Sequence, residues 1–136
     1  MKLADLFIST RVIRAVVRDA LRCGCPDDVF DDIQVGLPVL FGTHELSSGI
    51  EILVGRRLLL TLLPFQDLRT PEEEVRLVLE NGRKVRDQHA FNRFRLVIVG
   101  DFDMEQRHQL EQLGEHLADR VHLHVLDCDA LRRIAL

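Results

Sequence analysis

The chain has 136 residues, 46% of them apolar and 29% charged, a balance that suits one packed domain spanning 1–136 and excludes a disordered chain. Its formal net charge of -4 excludes a global field that would draw it onto nucleic acid or an anionic membrane, so any such binding needs a local patch. No stretch approaches the roughly 20 apolar residues of a membrane span, and Asp5 interrupts the apolar start too early for a signal peptide.

Leu3, Leu6, Phe7, Ile13, Val16, Val17, Ala20 and Leu21 recur at helical spacing, and Gly24 and Pro26 end that helix. Ile33, Val35, Leu37, Val39 and Phe41 alternate with polar or small residues, the period of a half-buried strand. Pro38 cannot donate to a ladder, so this strand is expected at an edge or broken there. Ile50 to Leu63 reads as a hairpin about Gly55-Arg56, and its second arm from Leu58 is apolar on both faces, as in a covered central strand. Thr70-Pro71-Glu72-Glu73 predicts a helix start, with Glu73 closing a capping box. Asn81-Gly82 leaves a hairpin open as an alternative for residues 75–90; the acidic first turn favours helix. Leu96-Val97-Ile98-Val99 marks a buried strand, Asp103 and Gln106 a second capping box, Val121 to Leu126 a strand, and Asp127 the start of a last helix. The order α-β-β-β-α-β-α-β-α implies an α/β fold with a central mixed β-sheet flanked by helices.

That order is the common core of the PD-(D/E)XK nuclease superfamily, and several segments resemble its Mrr-type restriction endonucleases. Ser48-Gly49-Ile50-Glu51-Ile52-Leu53 is similar to the family's second strand, where a metal-binding acid follows Gly-Ile. Leu96-Val97-Ile98-Val99-Gly100 before Asp103-Met104-Glu105-Gln106, and Val125-Leu126-Asp127-Cys128-Asp129-Ala130-Leu131, resemble its closing segments. The resemblance covers about two-thirds of the chain and implies a restriction-endonuclease-like fold; function has to be argued from the site.

In the family, the third strand carries an acid or Gln, one spacer and a Lys; the acids hold Mg²⁺ and the Lys helps activate water. A two-residue turn at Gly55-Arg56 would pair Val54 with Arg57 and Glu51 with Leu60, placing Leu60 and Leu62 at the acid and Lys positions. A slip of one residue would place Thr61 and Leu63 there instead. Neither choice supplies a metal-ligand pair or a cation, so the resemblance implies a degenerate site, a pseudo-enzyme that needs no cofactor. A relocated site would take Glu51 with Asp32 or Glu45 as acids, Glu51 and Asp32 as the Mg²⁺ ligands, and Lys84 as the cation.

Arg11, Arg14, Arg18 and Arg22 form a basic stripe on the first helix, and Arg83, Lys84, Arg86, Arg93 and Arg95 form a second group. Either set can contact phosphates or a partner, or form a solvated face balanced by Asp19, Glu80 and Asp87. His122 and His124 share one side of a strand; with His108 and His116 they would make a metal site only if they converge, and otherwise they are polar positions on an exposed strand face. Asp27, Asp28, Asp31 and Asp32 lack the ligand spacing of a cation loop. Cys23, Cys25 and Cys128 lack framework spacing and imply reduced thiols in a cytoplasm. Without Trp or Tyr, base stacking would fall to Phe, His or Arg. The reading is a catalytically degenerate nuclease-fold module that binds a protein partner or nucleic acid as an accessory subunit of a defence, mobile-element or repair assembly. An active nuclease with a relocated lysine and a homo-oligomeric structural protein are the alternatives.

Overall fold

The computed structural model describes residues 9–21, 27–36 and 49–135, with residues 19, 20, 27 and 135 described by their backbone alone. Helix α1 (Thr10–Ala15) continues as a π segment (Val16–Ala20), in which the Leu21 N–H donates to the Val16 carbonyl at 2.9 Å. A 3₁₀ turn (Asp27–Asp31) leads into β1 (Ile33–Gly36). Then come β2 (Ile50–Val54), β3 (Leu58–Pro64), a 3₁₀ turn (Phe65–Asp67), α2 (Pro71–His89), β4 (Arg93–Gly100), α3 (Met104–Leu113), β5 (Val121–Asp127) and α4 (Cys128–Ala135). The expected order of helices and strands is therefore present. The earlier part of the first helix and the Leu37–Phe41 part of the first strand lie outside the described residues.

The five strands form one mixed sheet in the order β1-β2-β3-β4-β5. β1, β2 and β3 pair antiparallel; β3, β4 and β5 pair parallel through the crossovers α2 and α3. β1 stands at the sheet edge, where the Pro38 argument puts it. The doubly apolar arm is β3, buried along its length from Leu58 to Leu63. One core packs α1, the π segment and α4 against Ile52, Leu60, Leu62 and Val97. The other packs α2 and α3 against Leu59, Leu63, Phe94, Leu96 and Ile98. A continuous apolar run thus becomes a strand covered on both faces. No helix among the described residues is long and apolar enough to cross a membrane.

The hairpin differs from the expected register by one residue. Its turn is the expected one: Gly55 and Arg56 both have positive φ, 58° and 55°, and the Arg57 N–H donates to the Val54 carbonyl at 3.1 Å. Arg57 does not enter the ladder, however. Val54 aligns with Leu58 and Glu51 with Thr61, so Arg57 is an extra residue of the kind found in a β-bulge. Gly55 is fixed there by space as well as by φ, because a Cβ would come within 2.6 Å of the Val29 Cβ.

Residues 75–89 are helix, Ala90 is its left-handed C-cap, and no hairpin forms at Asn81-Gly82. The Glu73 capping box is corrected: the Thr70 side chain makes no capping bond, and the Thr70 N–H donates to Glu74 Oε2 at 3.1 Å. The second box is complete, with Asp103 Oδ1 accepting from the Gln106 N–H at 2.7 Å and Gln106 Oε1 from the Asp103 N–H at 3.1 Å.

Candidate functional site

Glu51 is the acid on which the resemblance turns. It sits on the α2 side of β2, opposite Thr61, and the neighbouring positions of that sheet face are Leu59 and Leu63. The one-residue bulge at Arg57 decides this: the positions that the resemblance would give to an acid and a lysine are Thr61 and Leu63, not Leu60 and Leu62. Thr61 is 0% exposed, and its hydroxyl has no hydrogen-bond partner. Glu51 Oε2 is likewise shut off from solvent without a partner, and burial pushes the carboxyl up to about 7. The carboxyl borders a cavity of about 210 Å³ that Gln34, Leu53 and Phe91 also line.

The other members of the relocated site are not gathered around Glu51. Asp32 precedes β1 at the opposite end of the β1–β2 ladder: Ile33 pairs with Val54, whereas Glu51 pairs with Gly36. At the rise of a strand that separation is about 13 Å. Asp32 is instead exposed and paired with Arg56 at 3.2 Å. Lys84 is exposed on α2, and its charge acts on Glu80; burial is the whole cause of the Glu51 displacement, with no cation offsetting it. Glu45 lies outside the described residues. Among the described residues no three His, Cys, Asp or Glu side chains gather as metal ligands. One protonatable carboxyl facing a threonine and leucines does not fit Mg²⁺, which takes several oxygen ligands in octahedral geometry.

The arginines predicted as contacts are largely engaged within the chain. Arg14 and Arg18 each place a guanidinium 5.2 Å from the centre of the Phe30 ring, which ties the α1 end of the molecule to the 3₁₀ turn before β1. Arg11 donates to the Ile134 carbonyl of α4 at 3.3 Å. Arg22 lies outside the described residues. On α2, Arg83 pairs with Glu80 at 2.7 Å and Asp87 at 3.7 Å, and Arg86 binds Asp87 at 2.9 Å and the Asp119 carbonyl. Glu80 and Asp87 are the balancing acids anticipated for a solvated face.

Two expectations on β4 and β5 are corrected. Arg95 does not belong to a surface group: it is 5% exposed, beneath the end of the π segment, where it donates to the Leu21 carbonyl at 3.3 Å. His124 is not an exposed strand position either. Its Nε2 lies 2.7 Å from Arg95 Nη1, and burial first, then the Arg95 charge, holds its pKa down at about 4. His122 is exposed, its ring 6.3 Å from that of His124. The four-histidine metal site fails on topology. His122 and His124 share the sheet face of Arg95, whereas α3, which carries His108, packs on the opposite face. Alternation along β5 could not reveal this polar cluster, because its centre is an arginine on the neighbouring strand. The signal that could have found it is a lone Arg inside the apolar β4 run.

No family model, curated protein or solved structure matches the chain.

Proposed function

We propose that the chain is a catalytically degenerate module of restriction-endonuclease-like fold, serving as the accessory subunit of a larger assembly and binding a protein partner. The observation that carries this reading is the content of β3 opposite and beyond Glu51. Thr61 and Leu63 stand where acid and lysine would be needed, and among the described residues no cation offsets the burial of Glu51 and no group of acids gathers around it. Leucine offers no metal ligand, a lone uncharged threonine hydroxyl does not replace a carboxylate in a Mg²⁺ site, and neither side chain supplies the positive charge that helps activate a metal-bound water. The strand order and helix placement are consistent with the superfamily core that the sequence resembles. A protein partner is favoured over nucleic acid because Arg14, Arg18, Arg83 and Arg86 already have partners within the chain, which reduces the charge they offer to phosphates.

The test is a combined cleavage and binding assay on labelled single- and double-stranded DNA and RNA, with Mg²⁺, Mn²⁺ or chelator. The expected result is no metal-dependent cleavage and no salt-sensitive binding. Cleavage that disappears in Glu51→Ala would overturn the degenerate-site reading in favour of a relocated site. Binding without cleavage would keep the degenerate module but replace its partner with nucleic acid.

A further inference from the structure

Among the described residues, the buried arginine of β4 has no counter-charge. Its two hydrogen bonds, to the Leu21 carbonyl and to His124 Nε2, both use Nη1. An arginine only donates, so His124 Nε2 must accept, and the ring is neutral with its proton on Nδ1. Arg95 Nε, shielded from solvent, has no hydrogen-bond partner. The Nε–H and the adjacent Nη2–H form the flat fork that matches two oxygens of an oxyanion.

The surroundings reinforce the same sign. His122 is the direct cross-strand neighbour of Arg95, and Arg93 precedes Arg95 by two residues on the same sheet face. Among the described residues, the charges acting on this group are Arg93, Arg95 and, at His124, His122, with Asp119 as the one acid, felt at His122. A chain with a net charge of -4 thus holds an internal positive cluster around a desolvated guanidinium. Burying such a charge is costly unless an anion pairs with it.

We propose that Arg95, with His122, His124 and Arg93, forms a binding site for a phosphoryl group, either inorganic phosphate or the terminal phosphate of a small phosphomonoester. The Arg95 fork takes two phosphoryl oxygens, and the remaining oxygens accept from His122 and Arg93. A carboxylate has only two oxygens and would leave these donors unused. The depth of Arg95 excludes the backbone of a duplex, and the exposed His122 marks the side from which a small anion enters. This site lies on the sheet face opposite Glu51 and does not depend on the function proposed above.

The experiment is thermal unfolding of the full chain in sodium phosphate, in a nucleoside 5′-monophosphate and in sodium chloride of matched ionic strength, with imidazole NMR of the same samples. A saturable rise in Tm is expected over chloride, on the order of 5–10 °C once the phosphate species exceeds its Kd a hundredfold. His122 and His124 signals should move, while those of the exposed His89, His108 and His116 stay in place. A response to inorganic phosphate alone assigns the free ion; a response to the monophosphate alone assigns a phosphomonoester. Arg95→Met should abolish the response. Should that variant not fold, His122→Ala, at an exposed position, should weaken the apparent Kd at least about fivefold, the scale of one lost hydrogen bond. Equal Tm values in phosphate and chloride, or a phosphate response unchanged in His122→Ala, would overturn the site.

Discussion

Gly82 lies in the middle of α2, where glycine costs about 1 kcal/mol relative to alanine. The reason for it is across the core: a Cβ at this position would come within 2.2 Å of two ring carbons of Phe94. Phe94 is fully buried on β4, in an interior where close packing leaves a ring little room to shift. Gly82→Ala is therefore expected to destabilise by about 1–3 kcal/mol, the overpacking strain outweighing the gain in helix propensity. Urea denaturation would measure it, and in a Phe94→Leu background the same change should cost far less, since the shorter side chain vacates the ring position. An unchanged cost would detach Gly82 from Phe94. The Asn81-Gly82 pair looks like a turn signal in sequence because the contact that explains it is with a strand not yet reached. Arg95 was illegible for a similar reason. Its charge suggests a surface, and its burial depends on what the π segment and β5 lay over it.

At the scale of elements, the two capping motifs show how far local sequence reaches. Asp103 and Gln106 close their box in both directions because the acid precedes the helix by one residue and the amide falls at its third position. Asp103→Ala should cost about 1 kcal/mol, read as a drop in the urea midpoint without a change in slope. Thr70→Ala should cost under about 0.5 kcal/mol, because the hydroxyl makes no capping bond and the backbone bond to Glu74 survives. A larger loss from Thr70 than from Asp103 would contradict this assignment. Most elements were legible because each has a strong internal period: the doubly apolar β3, the apolar β4 run and the acid-led α2 all lie where their patterns put them. The hairpin register was not. Gly55-Arg56 specifies the turn, but whether Arg57 then enters the ladder depends on longer-range neighbours. One of these is the Arg93 N–H of β4, which the Arg57 carbonyl accepts at 3.0 Å. That one residue moves the positions that the resemblance would give to an acid and a lysine from Leu60 and Leu62 to Thr61 and Leu63. Neither pair contains a carboxylate or an amine.

For the whole molecule, two half-buried titratable groups on opposite sheet faces, Glu51 and His124, pull stability in opposite directions with pH. The Glu51 carboxyl rises from 4.5 to about 7 on folding, so between those values the folded state holds a proton that the unfolded state has lost. Stability from this group falls as pH rises through that window. The His124 pKa falls from 6.5 to about 4, so the unfolded state holds the extra proton, and stability is lost as pH drops from 6.5 towards 4. His122, depressed first by burial and then by Arg95 and Arg93, adds in the direction of His124. One such proton corresponds to a slope of up to about 1.4 kcal/mol per pH unit, and solvent screening of these partly exposed groups reduces it to about half. Between pH 4.5 and 6.5 the Glu51 and His124 contributions therefore largely cancel. Glu51→Gln should unmask the histidines, giving a stability that rises relative to the parent chain by about 1–2 kcal/mol across that interval. His124→Asn should do the reverse, leaving the falling contribution of Glu51 uncompensated. Urea midpoints of the three proteins at pH 4.5, 5.5 and 6.5 would test this, because all other titrating groups are common to them and drop out of the differences. Parallel profiles would mean that neither group changes its protonation on folding. Divergence in the stated directions would show that the orphaned carboxyl and the arginine-bound imidazole hold their unusual states in solution.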